Sequence, residues 1–116
     1  MTDIILTVGV SNSGKTTWAN EFCELHDAVN INRDDIRAAY FCKDNDLRNY
    51  KFTEQKEVDV TLIQQKSVFE AVLDGVDYVI LSDTNLNPSV RDRWFNLACS
   101  LGCGYDEVVF DTQLSV

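Results

Sequence analysis

Eight residues near the N-terminus, Gly9-Val-Ser-Asn-Ser-Gly14-Lys15-Thr16, have the G-x-x-x-x-G-K-[ST] spacing of a loop that cradles phosphates. Small residues at Ser11, Asn12, Ser13 and Gly14 let successive backbone N–H groups curl round a polyphosphate. A following helix would add the partial positive charge of its N-terminus. The Lys15 ammonium is expected exposed in the crevice, reaching the β- and γ-phosphates of a nucleotide. The Thr16 hydroxyl is placed to ligate Mg²⁺, and Thr17 adds a second hydroxyl in the same turn. The chemistry this implies is binding of ATP with Mg²⁺ across Gly9 to Thr17. An ordinary Gly/Ser turn is the competing explanation, and the flanking segments argue against it.

Two further polar clusters invite chemistry. Asn32-Arg33-Asp34-Asp35 follows a short apolar run, and Ser82-Asp83-Thr84-Asn85 follows another. Asp34 is the first candidate for a general base that takes a proton from a phosphoryl acceptor, with Asp35 the alternative, since the sequence does not say which carboxylate faces inward. Both also suit the capping of a helix. Arg37 lies at i+3 from Asp34 and shares its helical face. It either grips an anionic acceptor or forms a plain surface ion pair with Asp34. Asp83 sits where an acid beside Mg²⁺ is often found; it could hold the metal through water, orient Arg37 or cap its loop. Arg91 and Arg93 read as solvated, and Trp18 as core.

The elements that must carry these residues alternate. Ile4–Val10, Ala28–Ile31, Tyr78–Leu81 and Glu107–Asp111 read as strands. Helical spacing follows the phosphate loop (Trp18, Phe22, Leu25) and covers residues 34–42. A long helix follows, beginning at a Thr53 N-cap with Val58, Leu62, Phe69, Val72 and Leu73 as its buried stripe. Another opens at Asn87-Pro88, with Val90, Trp94, Leu97, Ala98 and Leu101 facing in. Strand–helix alternation predicts an α/β fold: a three-layer parallel sheet of about four strands, right-handed crossovers and helices on both faces. In such sheets ligands bind beyond the carboxyl ends of the strands, where all three polar clusters fall.

Length and composition bound the rest. The 116 residues suit one domain, 1–116, with 45% hydrophobic and 25% charged residues. The apolar runs are shorter than a membrane span, and a cytoplasmic location is expected. Cys23, Cys42, Cys99 and Cys103 form no C-x-x-C pair and read as buried, reduced thiols. Nineteen acidic against ten basic residues give a net charge of −9, which disfavours a DNA-coating role but leaves room for a few placed cations at one strand end.

The chain resembles the 5′-hydroxyl kinase domain of T-even-type phage polynucleotide kinases. The stretches that carry the likeness are Ile4-Ile-Leu-Thr, Ser13-Gly-Lys-Thr-Thr-Trp-Ala, Asn30-Ile-Asn-Arg-Asp-Asp, Tyr50-Lys-Phe-Thr and Ser82-Asp-Thr-Asn-Leu-Asn-Pro88. The resemblance implies a P-loop kinase fold and ATP-dependent phosphorylation of 5′-OH ends of DNA or RNA. It implies Lys15 and Thr16 at the phosphates and Mg²⁺, and Asp34 as general base. Arg37 would meet the 3′-phosphate of the acceptor, with Asp83 and Thr84 beside it. Ser11-Asn12 replaces the Pro-Gly common in the family. The family also has a helical lid with an essential arginine, and often a phosphatase domain. The sequence contains neither that lid nor an Asp-x-Asp-Gly-Thr pattern, so a separate chain or segment is expected to supply them and the 116 residues alone to transfer phosphate slowly. The competing readings are a kinase of a small alcohol or nucleoside, and a nucleotide-binding fragment with weak catalysis.

Overall fold

The computed structural model describes residues 1–11 and 13–110. Four parallel strands, β1 (Asp3–Val8), β2 (Ala28–Asn30), β3 (Tyr78–Leu81) and β4 (Gly104–Val109), form one sheet in the order β2-β3-β1-β4. Helices α1 (Lys15–Leu25), α2 (Arg33–Phe41), α3 (Glu54–Leu73) and α4 (Pro88–Leu101) connect them. Two short 3-10 turns, Lys43–Asn45 and Leu47–Asn49, fill the polar stretch before α3. The predicted α/β architecture is thus present, with β1 central and flanked by β3 and β4.

Alternation along the strands assigns the two faces. Ile4, Leu6, Val79 and Leu81 point into a core closed by Val68 and Ala71 of α3 and Trp94 and Ala98 of α4. Ile5 and Ile80 point the other way, onto Ala19 of α1 with Trp18 and Phe22 packed beside it. Each fully buried side chain of this kind contributes about 1.5–3 kcal/mol. Trp18 belongs to this packing, as its spacing suggested.

Capping residues set the helix starts. The Thr53 hydroxyl accepts the Lys56 N–H, and the Asn87 side chain accepts the Ser89 N–H ahead of Pro88. Helix α2 opens one residue earlier than the spacing predicts, at Arg33, because Asn32 is its cap. Strand β4 begins at Gly104, three residues before the predicted Glu107, and the predicted end at Asp111 lies outside the described residues.

The face of α3 is the main correction. Val58 and Leu62 are 53% and 58% exposed, and Phe69 and Leu73 also face outward. The inward stripe is Val60, Gln64, Val68 and Ala71, with Val72 of the expected stripe packed beside it. Both stripes have helical period, and the true one contains a glutamine that finds tertiary partners. The cysteines also differ from expectation, since Cys99 is exposed and Cys23, Cys42 and Cys103 are half-buried.

Candidate functional site

The carboxyl ends of β1, β2 and β3 open onto one crevice of about 640 Å³. Its walls include Ser11, Lys15 and Thr16 from the phosphate loop, Asn32 to Asp35 and Arg37 from α2, and Ser82, Asp83 and Thr84 from the loop after β3. The three polar clusters therefore meet, as the sheet pattern required. A smaller cleft of about 330 Å³ lies directly over the start of α1, against Gly14, Lys15, Thr16 and Thr17.

The loop's geometry explains its glycines. Gly14 is the N-cap of α1 with φ of 92°, a left-handed conformation that disfavours any side chain. Gly9 is constrained by space instead, since a Cβ there would lie 2.7 Å from the Phe110 carbonyl. Its N–H donates to the Thr84 carbonyl at 2.9 Å, so Gly9 ties β1 to the loop after β3 and does not offer that donor to a ligand. Asn12, expected among the phosphate-binding residues, lies outside the described residues. Lys15 is only 7% exposed, which corrects the expectation of an open side chain. Its ammonium folds back to donate to the Val10 carbonyl at 2.5 Å and to Ser13 Oγ at 3.3 Å. Burial lowers the Lys15 pKa, while Asp83 and Asp34 pull it back up.

At the second cluster, geometry separates the two adjacent carboxylates. Asn32 Oδ1 accepts the Asp35 N–H at 2.8 Å, and Asn32 Nδ2 donates to Asp35 Oδ2 at 2.9 Å. This is the reciprocal logic of a capping box, and it occupies Asp35. Asp34 stands 66% exposed, and its Oδ1 accepts Arg37 Nη1 at 2.8 Å.

Arg37 is held chiefly from elsewhere. Glu57, in the first turn of α3, accepts Arg37 Nε at 3.0 Å and Nη2 at 2.7 Å, a bidentate grip. Glu57 also accepts Tyr50 Oη at 2.6 Å and Arg33 Nη2 at 3.2 Å. These donors, Arg37 foremost, hold the Glu57 carboxyl down to about 2, and the pairing raises the Arg37 pKa further. Nothing in the sequence marked Glu57, because its arginine partners lie 20 and 24 residues away.

Asp83 lies at the centre and is half-buried. Its Oδ1 accepts the Arg33 N–H at 2.8 Å, and its Oδ2 accepts Gln64 Nε2 at 2.7 Å. The carboxylate therefore joins the start of α2 to the middle of α3, and the acceptor that orients Arg37 is Glu57, not Asp83. Desolvation raises its pKa, with the two hydrogen bonds acting against that. Behind it, Asn85, with φ of 48°, donates to the carbonyls of Thr7, Leu81 and Asp83 and fixes the turn. Thr84 is exposed on the crevice wall.

With this geometry in place, comparison with known proteins is informative. The chain is 31% identical over 104 residues to the "Putative bifunctional polynucleotide kinase/RNA ligase" of Autographa californica nuclear polyhedrosis virus, covering 84% of this chain and 14% of the viral protein. Among solved structures it superposes on a chain of the Pnkp1/Rnl/Hen1 complex with a TM-score of 0.78 at 26% identity, covering 95% of this chain and 35% of that one. The APS kinase CysC of Mycobacterium tuberculosis, solved with AMPPNP and APS, matches with a TM-score of 0.64 at 14% identity, covering 95% of this chain and 62% of that one. That last likeness shows the shared P-loop kinase fold alone. The chain thus spans a minor part of the first two proteins it matches. The model of the family described as AAA domain matches residues 4–116, and the chain belongs to that family.

Proposed function

We propose that this chain is a polynucleotide 5′-hydroxyl kinase module, moving the γ-phosphoryl group of ATP to the 5′-OH end of DNA or RNA. The observation that carries the reading is the pairing, in one crevice, of a phosphate loop with an exposed carboxylate and a clamped guanidinium. Its likeness to a viral protein named for polynucleotide kinase supports the choice of acceptor.

In this reading a triphosphate takes over from the Val10 carbonyl as the partner of Lys15, and the N–H groups at the start of α1 hold its oxygens. Thr16 is the protein's own ligand for Mg²⁺. Among the described residues no group of three His, Cys, Asp or Glu side chains converges as a metal cage. When bound, Mg²⁺ neutralises charge on the transferring group.

Asp34 accepts the proton of the 5′-hydroxyl as its oxygen bonds to the γ-phosphorus and the bond to the β-phosphate oxygen breaks. Its ion pair with Arg37 is a single exposed contact, worth at most about 1 kcal/mol, so Asp34 can turn to the hydroxyl at small cost. Arg37 stays behind on Glu57 and presents its remaining edge to an acceptor phosphate. The test is incubation with labelled ATP, Mg²⁺ and 5′-OH oligonucleotides with and without a 3′-phosphate. Label on the 5′ ends, faster with the 3′-phosphate, is expected. Label passing only to small alcohols or nucleosides would favour the alternative class of acceptor, and ATP binding with no transfer would favour a nucleotide-binding fragment.

A further inference from the structure

A second cleft of about 240 Å³ lies behind Asp83, between α3 and α4. Arg33 and Asp83 line both this cleft and the main crevice, so the two adjoin across those side chains. Thr61, Trp94 and Arg93 complete the walls that matter.

Arg93 is the unusual member. The other four arginines are committed: Arg33 and Arg37 to Glu57, Arg48 to Asp46, and Arg91 to Glu107 and the carbonyls of Asn85 and Leu86. Among the described residues Arg93 has neither an ion pair nor a hydrogen bond. A lone exposed arginine is ordinarily solvated. Here it borders a concavity that adjoins the crevice, on a molecule whose net charge of −9 disfavours general polyanion binding.

We propose that this cleft is a second phosphate subsite, in which Arg93 pairs with a backbone phosphate of the acceptor strand beyond its terminal nucleotide. The inference rests on the polynucleotide reading above and sharpens it. The crevice takes the end of the strand, and the adjoining cleft takes the next phosphate. The acceptor is therefore a strand and not a mononucleotide. A guanidinium suits the task because its planar edge binds two phosphate oxygens at once.

Calorimetric titration of the chain with a nucleoside 3′-monophosphate, a 5′-OH hexanucleotide and inorganic phosphate tests this, repeated over a range of salt. The hexanucleotide should bind the wild-type chain about 10-fold more tightly than the mononucleotide, the scale of one charge-assisted contact. Arg93→Ala should remove most of that advantage, raise the mononucleotide Kd less than twofold, and flatten the salt slope by about 0.7 for the hexanucleotide. Arg93→Lys should restore the slope. Urea midpoints of both variants should match the wild type, since no internal contact is lost. Unchanged hexanucleotide affinity in Arg93→Ala, or equal losses for both acceptors, overturns the subsite. A loss confined to inorganic phosphate overturns it too, in favour of a free-anion site. Wild-type chain that binds ATP but neither acceptor overturns the polynucleotide reading itself.

Discussion

Asn32 and Asp35 exchange two hydrogen bonds across the first turn of α2, at 2.8 and 2.9 Å, which engage Asp35 in the cap while Asp34 carries only an exposed contact to Arg37. Two neighbouring carboxylates thereby acquire different tasks. Asp35→Ala should cost about 1 kcal/mol of stability, as loss of a cap partner does, read as a lower urea midpoint. Asp34→Asn should leave that midpoint nearly unchanged and keep ATP binding, yet slow transfer by roughly 10²–10⁴-fold. A larger kinetic effect at Asp35 would reverse the assignment.

Lys15→Ala should eliminate ATP binding detectable by calorimetry. The ammonium is the one cation that the loop itself contributes, and its present partners are a carbonyl and a hydroxyl that water can satisfy. Thermal melting should shift little. Near wild-type affinity for ATP would remove the loop from the nucleotide site.

Glu57→Gln breaks the clamp on Arg37 and should lower stability at neutral pH by about 1–2 kcal/mol, the pKa shift being discounted for solvent screening. The sign follows from a folded-state pKa of about 2 against an ordinary 4.5. The carboxylate's contribution is fully present above the unfolded value and is lost as pH falls through the folded one. The gap between wild type and variant should therefore shrink to roughly half near pH 3. A gap that stays constant from neutral pH to pH 3 would mean that the ion pairs contribute nothing.

Asp83→Asn tests a buried staple. The amide retains one acceptor where the carboxylate serves two donors, Arg33 N–H and Gln64 Nε2. One donor is left opposing the new NH₂ group, at a cost of about 1–3 kcal/mol. Since burial raises the Asp83 pKa, ionisation of this group opposes folding above its unfolded pKa, and that penalty fades as pH falls. The deficit of the asparagine variant should change little at neutral pH with added salt, because the lost contacts are short hydrogen bonds and not a long-range charge interaction.

Much of this was legible in the residues, and the exceptions share a cause. The phosphate loop declares itself because its chemistry is local: Gly14 must adopt a positive φ, and Lys15 follows it directly. The convergence of Asn32–Asp35 and Ser82–Asn85 followed from strand–helix alternation, which sends all strand ends one way. The inward face of α3 was misjudged because Gln64 looks like a surface residue. It is 1% exposed, and its amide reaches the Ile31 carbonyl and Asp83 across the fold. Glu57 escaped for the same reason. A residue whose partners are far along the chain leaves no periodic trace.

The position of β1 in the sheet governs the order in which this molecule can come into being. β1 is the first strand made, yet Asp3 pairs with Tyr78 on one side and with Gly104 on the other. Most of the described chain must exist before the central strand has either neighbour, and nearly all of it before it has both. Closing such long loops is the slow step for topologies of this kind, and local helices cannot shorten it. The nucleotide loop hangs from the end of β1, with Gly9 fastened to Thr84 and Phe110 donating to Val8. It can take shape only once β4 is available to pair, so on the proposed function the acquisition of ATP binding by a refolding chain reports the closing of the whole sheet.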